Sequence, residues 1–153
     1  MLLLGLYFAL TTMNADPDTR VMNGLKFRVP AGFALEHGDS RSAIWKCTGE
    51  GKKAGYLILD DQIPDANSRS QETLEAILAE CSWLDGRELY VNPQGIRMVR
   101  GTADYSGWPE RRYYIESPRG IMVLRMSEDD RYYDPGDCEE AMLQMADSAA
   151  RAD

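Results

Sequence analysis

Few residues in this chain are suited to chemistry, and their spacing narrows what they can do. The run Glu128–Glu140, -EDDRYYDPGDCEE-, has the most unusual local composition. Hard cations such as calcium need several oxygens close together, and a basic partner would be drawn to the same charge. The carboxylates do not follow the D-x-[DN]-x-[DN]-G pattern, however. Asp137 and Glu140 stand at capping-box spacing ahead of an apolar stripe, so a solvated loop that caps a helix accounts for them. Nucleophilic catalysis needs a nucleophile beside a base. The single histidine, His37, lies in a polar His-Gly-Asp-Ser loop. Cys81 and Cys138 fall on apolar helix stripes, where thiols are usually inert. Ser40, Ser42 and Ser106 lack the G-x-S-x-G context of a nucleophile elbow. With no C-x-x-C and one histidine, the usual zinc set cannot be completed. No catalytic residue, metal site or cofactor is assigned on these grounds.

Two other features point to contact rather than catalysis. Tyr105, Trp108, Tyr113, Tyr114, Tyr132 and Tyr133 lie near Arg111, Arg112 and Arg131 in sequence, and Tyr, Trp and Arg are the residue types enriched at interface hot spots. Strand alternation sends Tyr113 and Tyr114 to opposite faces, so they cannot share one patch. The candidate partner surface is therefore Tyr105, Trp108, Arg111, Tyr132 and Tyr133, at a loop tip; ordinary turn packing is the alternative. Cys81 and Cys138 occupy matching stripe positions and would bridge two helices if both pack on one face of a sheet. Two buried thiols on opposite faces fit the same pattern.

The elements that must position these groups are legible from periodicity. Gly95–Met126 reads as three antiparallel strands: Ile96–Tyr105, Arg111–Glu116 and Ile121–Met126. Turns at Gly-Trp-Pro and Ser-Pro-Arg-Gly separate them, with Pro109 and Pro118 placed where no ladder bond is lost. Val21–Val29 is a strand region broken at Asn23-Gly24 and ended by Pro30–Phe33. Ala43–Cys47 and Tyr56–Leu59 are short strands joined by Thr48–Gly55. Ser68–Leu84 is predicted as a helix, with capping-box spacing at Ser68 and Gln71 and a stripe at Leu74, Ile77, Leu78 and Cys81; Gly86 is its expected stop. Glu88–Val91 is a short strand before an Asn92–Gly95 turn. A last helix runs from Asp137 towards Ala150, with Met142, Met145 and Ala149 inward. The expected fold is α+β: a β-rich N-terminal part, a helix, a three-stranded antiparallel run and a C-terminal helix, the two helices packed on a mostly antiparallel sheet. No glycine-rich phosphate loop follows a strand, which argues against a doubly wound nucleotide-binding fold.

The chain has 153 residues, which suits one domain over 21–150. Its net charge of −8 argues against a nucleic-acid partner, since such affinity rests on clustered Lys and Arg. Leu2–Leu10, -LLLGLYFAL-, is shorter than the roughly 20 apolar residues that span a bilayer. With the polar break that follows, 1–16 reads as a hydrophobic leader or anchor remnant, hence a membrane tether or export signal. The alternative makes Leu2–Leu10 a core element of a cytoplasmic protein.

The phrase -GLKFRVPAGF- (Gly24–Phe33) and the order of elements over roughly Gly24 to Ala150 resemble PsbP-like domains. The resemblance implies a sheet sandwiched by helices in an exported or lipid-anchored accessory protein that binds partners and has no enzymatic activity. The chain departs from the lipoprotein members in having no lipobox cysteine near Met1. The expectation is therefore an exported or membrane-anchored, non-catalytic domain that binds an unidentified protein or surface. A cytosolic scaffold of the same fold is the first alternative, and a small hydrolase with an unrecognised site the second.

Overall fold

The computed structural model describes residues 18–47, 55–61, 72–105, 108–127 and 135–153. Thr19–Met22 (β1) and Leu25–Arg28 (β2) form a hairpin. Asn23 and Gly24 at its corner have φ of 51° and 78°, the turn geometry that matches the right-handed twist of paired strands. A Cβ on Gly24 would also lie 3.0 Å from Pro118 Cγ. Leu25 and Phe27 are buried while Lys26 and Arg28 are exposed, as one wet face requires.

Next come Phe33–Gly38 (β3), Ser42–Cys47 (β4), Tyr56–Asp60 (β5), Leu74–Glu80 (α1), Leu84–Val91 (β6), Arg97–Tyr105 (β7), Trp108–Ser117 (β8) and Gly120–Ser127 (β9). Pro135–Ser148 (α2) and Ala150–Arg151 (β10) complete the order. Strands β3 to β9 form one seven-stranded sheet in the order β3-β4-β5-β9-β8-β7-β6, and β10 joins the hairpin as β1-β2-β10. All pairings are antiparallel. The protein is thus α+β, mostly antiparallel sheet with helices on it.

The β7–β8–β9 meander is the centre of the large sheet, with Met98 opposite Ile115 and Tyr114 opposite Val123. Alternation divides its side chains between two cores. On one face Met98, Tyr113, Ile115, Met122 and Leu124 pack against Leu25 and Phe27 of the small sheet and against Met142, Met145 and Ala149 of α2. On the other, Val99, Ala103, Tyr114 and Val123 pack under Leu74, Ile77 and Cys81 of α1 and its exit, with Leu84. The two helices therefore cover opposite faces.

Several boundaries differ from the sequence reading. Phe33 opens a strand rather than ending one; β3 is an edge strand, and exposure of nearly all its residues hides the usual alternation. His37 lies on that strand, exposed. Helix α1 starts after Thr73, which is extended (φ −137°, ψ 156°) and whose Oγ1 accepts from Ala76 N at 3.1 Å. Ser68 and Gln71 lie outside the described residues. The helix ends at Cys81, because Leu84 already pairs with Ala103. Gly86 is not a helix stop: with φ of 61° it lies in a bulge of β6 between Asp85 and Glu88. Pro109 lies within β8, opposite Asp104. Helix α2 begins at Pro135, so Asp137 belongs to its first turn rather than capping it.

Candidate functional site

Register decides which polar groups meet. Pairing of β7 with β8 sets Arg100 opposite Tyr113 and Thr102 opposite Arg111, on the face covered by α2. Pairing of β6 with β7 brings Glu88 opposite Arg100 on the same face. These strands and the N-terminal half of α2, through Glu139, Glu140 and Leu143, enclose an open groove of about 400 Å³.

The groove is built from ion pairs. Arg111 Nη2 donates to Glu139 Oε1 at 2.8 Å and Nη1 donates to Thr102 Oγ1 at 3.1 Å. Arg100 Nε donates to Glu88 Oε1 at 2.8 Å. The Arg100 guanidinium also lies 4.4 Å from the centre of the Tyr90 ring, a cation–π contact. Burial opposes the charge on Arg100, but the bonds to Glu88 and Tyr113 outweigh it and raise its pKa. Tyr90 meets Tyr113 edge to face, and its hydroxyl donates to Asp147 of α2; that bond pushes the phenol up to about 12. Chemically, the groove offers fixed guanidinium and carboxylate groups beside aromatic faces, a set suited to binding polar or charged side chains.

The opposite face carries a second polar cluster of different character. Arg112 is only 3% exposed. Its Nε donates to Glu110 at 2.7 Å and its Nη1 to Tyr114 Oη at 2.9 Å. Arg125 lies 3.6 Å from Glu110 and donates to Asp60 at 3.1 Å, and Ser42 Oγ donates to Asp60 at 2.6 Å. Trp83 lies over Arg112, 5.5 Å from its guanidinium, and meets Tyr114 edge to face. Burial opposes the charge on Arg112, but Tyr114 and Glu110 hold its pKa above the ordinary arginine value. Two guanidinium groups here balance two carboxylates, so the cluster presents no net charge to a ligand.

Of the residues singled out in the sequence, Arg111 lines the groove. Tyr105 and Trp108 face each other in the β7–β8 register, and their side chains lie outside the described residues, as do Tyr132 and Tyr133. Of the acidic run, Glu139 and Glu140 reach the groove and 128–134 lie outside the description. Cys81 is buried under α1. Cys138 belongs to the first turn of α2, its side chain outside the description, while the described stripe of α2 packs on the other face. Among the described residues no cluster of three or more His, Cys, Asp or Glu could hold a metal ion.

Two arrangements of consequence were missed in the sequence. Arg112 and Tyr114 were singled out only as candidate contact residues, and their buried pairing with Glu110 was not read; its faint signal is charged and aromatic residues alternating on one strand. Asn92 carried only a turn signal, yet it is 3% exposed and closes the end of α2. Its Nδ2 donates to Ala146 O and Ala149 O at 3.0 and 2.8 Å, and its Oδ1 accepts from Gln94 N and Ile96 N at 3.0 and 2.8 Å. The sequence matches no protein-family model and no curated protein.

Proposed function

We propose that this chain is a non-catalytic binding domain that engages a protein partner through the groove at the N-terminal half of α2. The observation carrying this reading is the 2.8 Å pair between Arg111 and Glu139. It joins the two segments whose composition is richest in contact-forming groups, the Arg-Tyr strand β8 and the acidic run Glu128–Glu140 where it enters the first turns of α2. The groove combines arginine forks with Tyr113, and Arg and Tyr are residue types enriched at hot spots; Leu143 lines its rim. Its paired guanidinium and carboxylate groups suit a partner strand or helix of mixed charge.

A photo-crosslinking residue at Leu143 in the tagged full chain, expressed in its own cells, tests this. The expected result is a discrete protein adduct that weakens in an Arg111→Gln background and is absent when the crosslinker replaces Lys26 on the small sheet. The same adducts from both positions would sink the proposal.

Export or membrane anchoring is the accompanying proposal, and it rests on the apolar run Leu2–Leu10. Among the described residues no helix is long and apolar enough to cross a membrane. Fractionation of the full chain beside one lacking Met1–Ala15 tests it. Movement of the truncated form alone into the cytosol is expected; a cytosolic full-length protein would remove the tether.

A further inference from the structure

We propose that the partner segment seated against α2 is basic, and that it lays an arginine or lysine side chain over Leu143 with the charged head between Glu139 and Glu140. This rests on the groove reading above and adds the chemistry of the occupant.

The charges of the groove do not cancel. Its described lining carries three carboxylates, Glu88, Glu139 and Glu140. Arg100 lies 2.8 Å from Glu88, and Arg111 lies 2.8 Å from Glu139. Arg112 also borders the groove, but its guanidinium is engaged on the opposite face of the sheet, 2.7 Å from Glu110. Three carboxylates against two guanidinium groups leave one negative charge, and it belongs to Glu140. Among the described residues Glu140 accepts from a neutral donor, Gln144 Nε2 at 3.3 Å. Glu88 and Glu139 are each held to their arginines through Oε1, which leaves the second oxygen of each for another donor.

The helix gathers these groups. Positions three and four apart on a helix are surface neighbours, so Leu143 lies beside both Glu140 and Glu139. Leu143 is 36% exposed. Acidic residues early in a helix suit its dipole, and that accounts for two glutamates at these positions. It does not account for an exposed leucine beside them on the wall of a groove. A long basic side chain answers both features: its aliphatic stem covers apolar surface while its head stays with the carboxylates. An acidic side chain in the same place would stand against Glu140 and the second oxygen of Glu139, like charge against like.

The wider field acts in the same direction. The chain carries a net charge of −8, and the acidic run Glu128–Glu140 leads into the helix that walls the groove. A field of that sign raises the encounter rate of a basic segment and lowers that of an acidic one.

Nuclear magnetic resonance of the isotope-labelled full chain tests this, with two short blocked peptides as probes. One carries two arginines in a glycine–serine background, and the other carries two glutamates instead. The arginine peptide should shift the amides of residues 139–144 and 111–113, less so as salt is added; the glutamate peptide should leave them in place. Glu140→Gln should weaken the arginine peptide about two- to fivefold. Glu36→Gln makes the same change of charge on exposed β3 and should have no effect on it. Leu143→Ser keeps every charge and should also weaken it. Glu140→Lys should reverse the preference of the groove towards the glutamate peptide. All four positions are exposed, so circular dichroism should show each variant folded. No shifts in the groove with the arginine peptide, or equal losses from Glu140→Gln and Glu36→Gln, would overturn the proposal. Tighter binding of the glutamate peptide to the wild-type groove would also overturn it, while leaving the groove a binding surface. Failure of the groove reading itself shows separately, as the same adducts from crosslinkers at Leu143 and Lys26.

Discussion

Replacing Asn92 by alanine is the most informative single perturbation of this fold. The side chain makes four hydrogen bonds of 2.8–3.0 Å, two as donor to the Ala146 and Ala149 carbonyls and two as acceptor from Gln94 and Ile96. Ala146 O lies in the last turn of α2, where it also accepts from Ala149 N at 3.2 Å, and Ala149 O lies just past the helix, where helical donors run out. At 3% exposure water has little access to replace the amide. With a net contribution of about 1 kcal/mol per bond, the loss is about 4 kcal/mol. For a domain of this size that corresponds to a fall in Tm of roughly 8–16 °C.

Calorimetry and urea unfolding should agree on that loss. Hydrogen exchange should show the first effects at the α2 end and at β10, which Asn92 locks to the β6–β7 turn. Asn92→Asp separates the two roles of the amide. It keeps the acceptor for Gln94 and Ile96 but aims an ionised carboxylate at two carbonyls. Its folded-state pKa should therefore be raised, and part of the lost stability should return as pH falls and the carboxyl is protonated. A loss below about 1 kcal/mol for Asn92→Ala would refute the reasoning, because it would mean that the end of α2 is not held by this residue.

Other consequences are equally direct. Gly101→Ala would place a Cβ 2.7 Å from Leu84 Cγ and 2.9 Å from the Asp85 carbonyl; chemical denaturation should show a loss of about 1–3 kcal/mol, because backbone cannot yield as a side chain can. Glu110→Ala leaves buried Arg112 without its carboxylate and should lose roughly 3–5 kcal/mol, while Glu110→Leu combined with Arg112→Met should recover much of it. Tyr90 has its pKa pushed up from 10.0 to about 12 by its bond to Asp147, so that bond's stabilisation should be intact below pH 10 and fade as pH rises towards 12. Ultraviolet titration of wild type against Tyr90→Phe should isolate the late-titrating phenol.

What could be read from the sequence was local. The Asn23-Gly24 corner and the alternation around it specify a hairpin without help from the rest of the chain. The three strands of Gly95–Met126 declared themselves through apolar runs punctuated by turns. Helix α1 was found through Leu74, Ile77 and Cys81, but its start was not, because Thr73 and Ser68 offer similar caps and only the backbone at Thr73 distinguishes them. Strand β3 was missed because an exposed edge strand has no buried face to impose a period of two. The groove was half legible. Arg111 stood out by residue type, whereas its meeting with Glu139, 28 residues later, is a product of tertiary packing. Asn92 was half hidden for the same reason: its bonds to Gln94 and Ile96 are the local turn signal, but the carbonyls it holds at Ala146 and Ala149 lie more than 50 residues away.

The two polar clusters also explain why the groove, rather than the buried network, is the site proposed for binding. Both consist of arginine–carboxylate pairs at similar distances, so geometry alone does not separate them. Burial does. Breaking the Glu110–Arg112 pair strands a charge that water cannot reach, so no ligand could compete for it at modest affinity. In the groove, the Glu139 side chain is 49% exposed, and pairs of that kind contribute about 0–1 kcal/mol because solvent already competes for them. A partner can exchange them at little cost and keep the fixed orientation of Arg111, which Thr102 maintains. Glu139→Gln should therefore leave stability within about 1 kcal/mol of wild type by urea unfolding, yet alter the yield of the Leu143 crosslinked adduct. If Glu139→Gln instead destabilised the fold as strongly as Glu110→Ala, the Arg111–Glu139 pair would be structural and the groove would lose its claim to be an exchangeable binding surface.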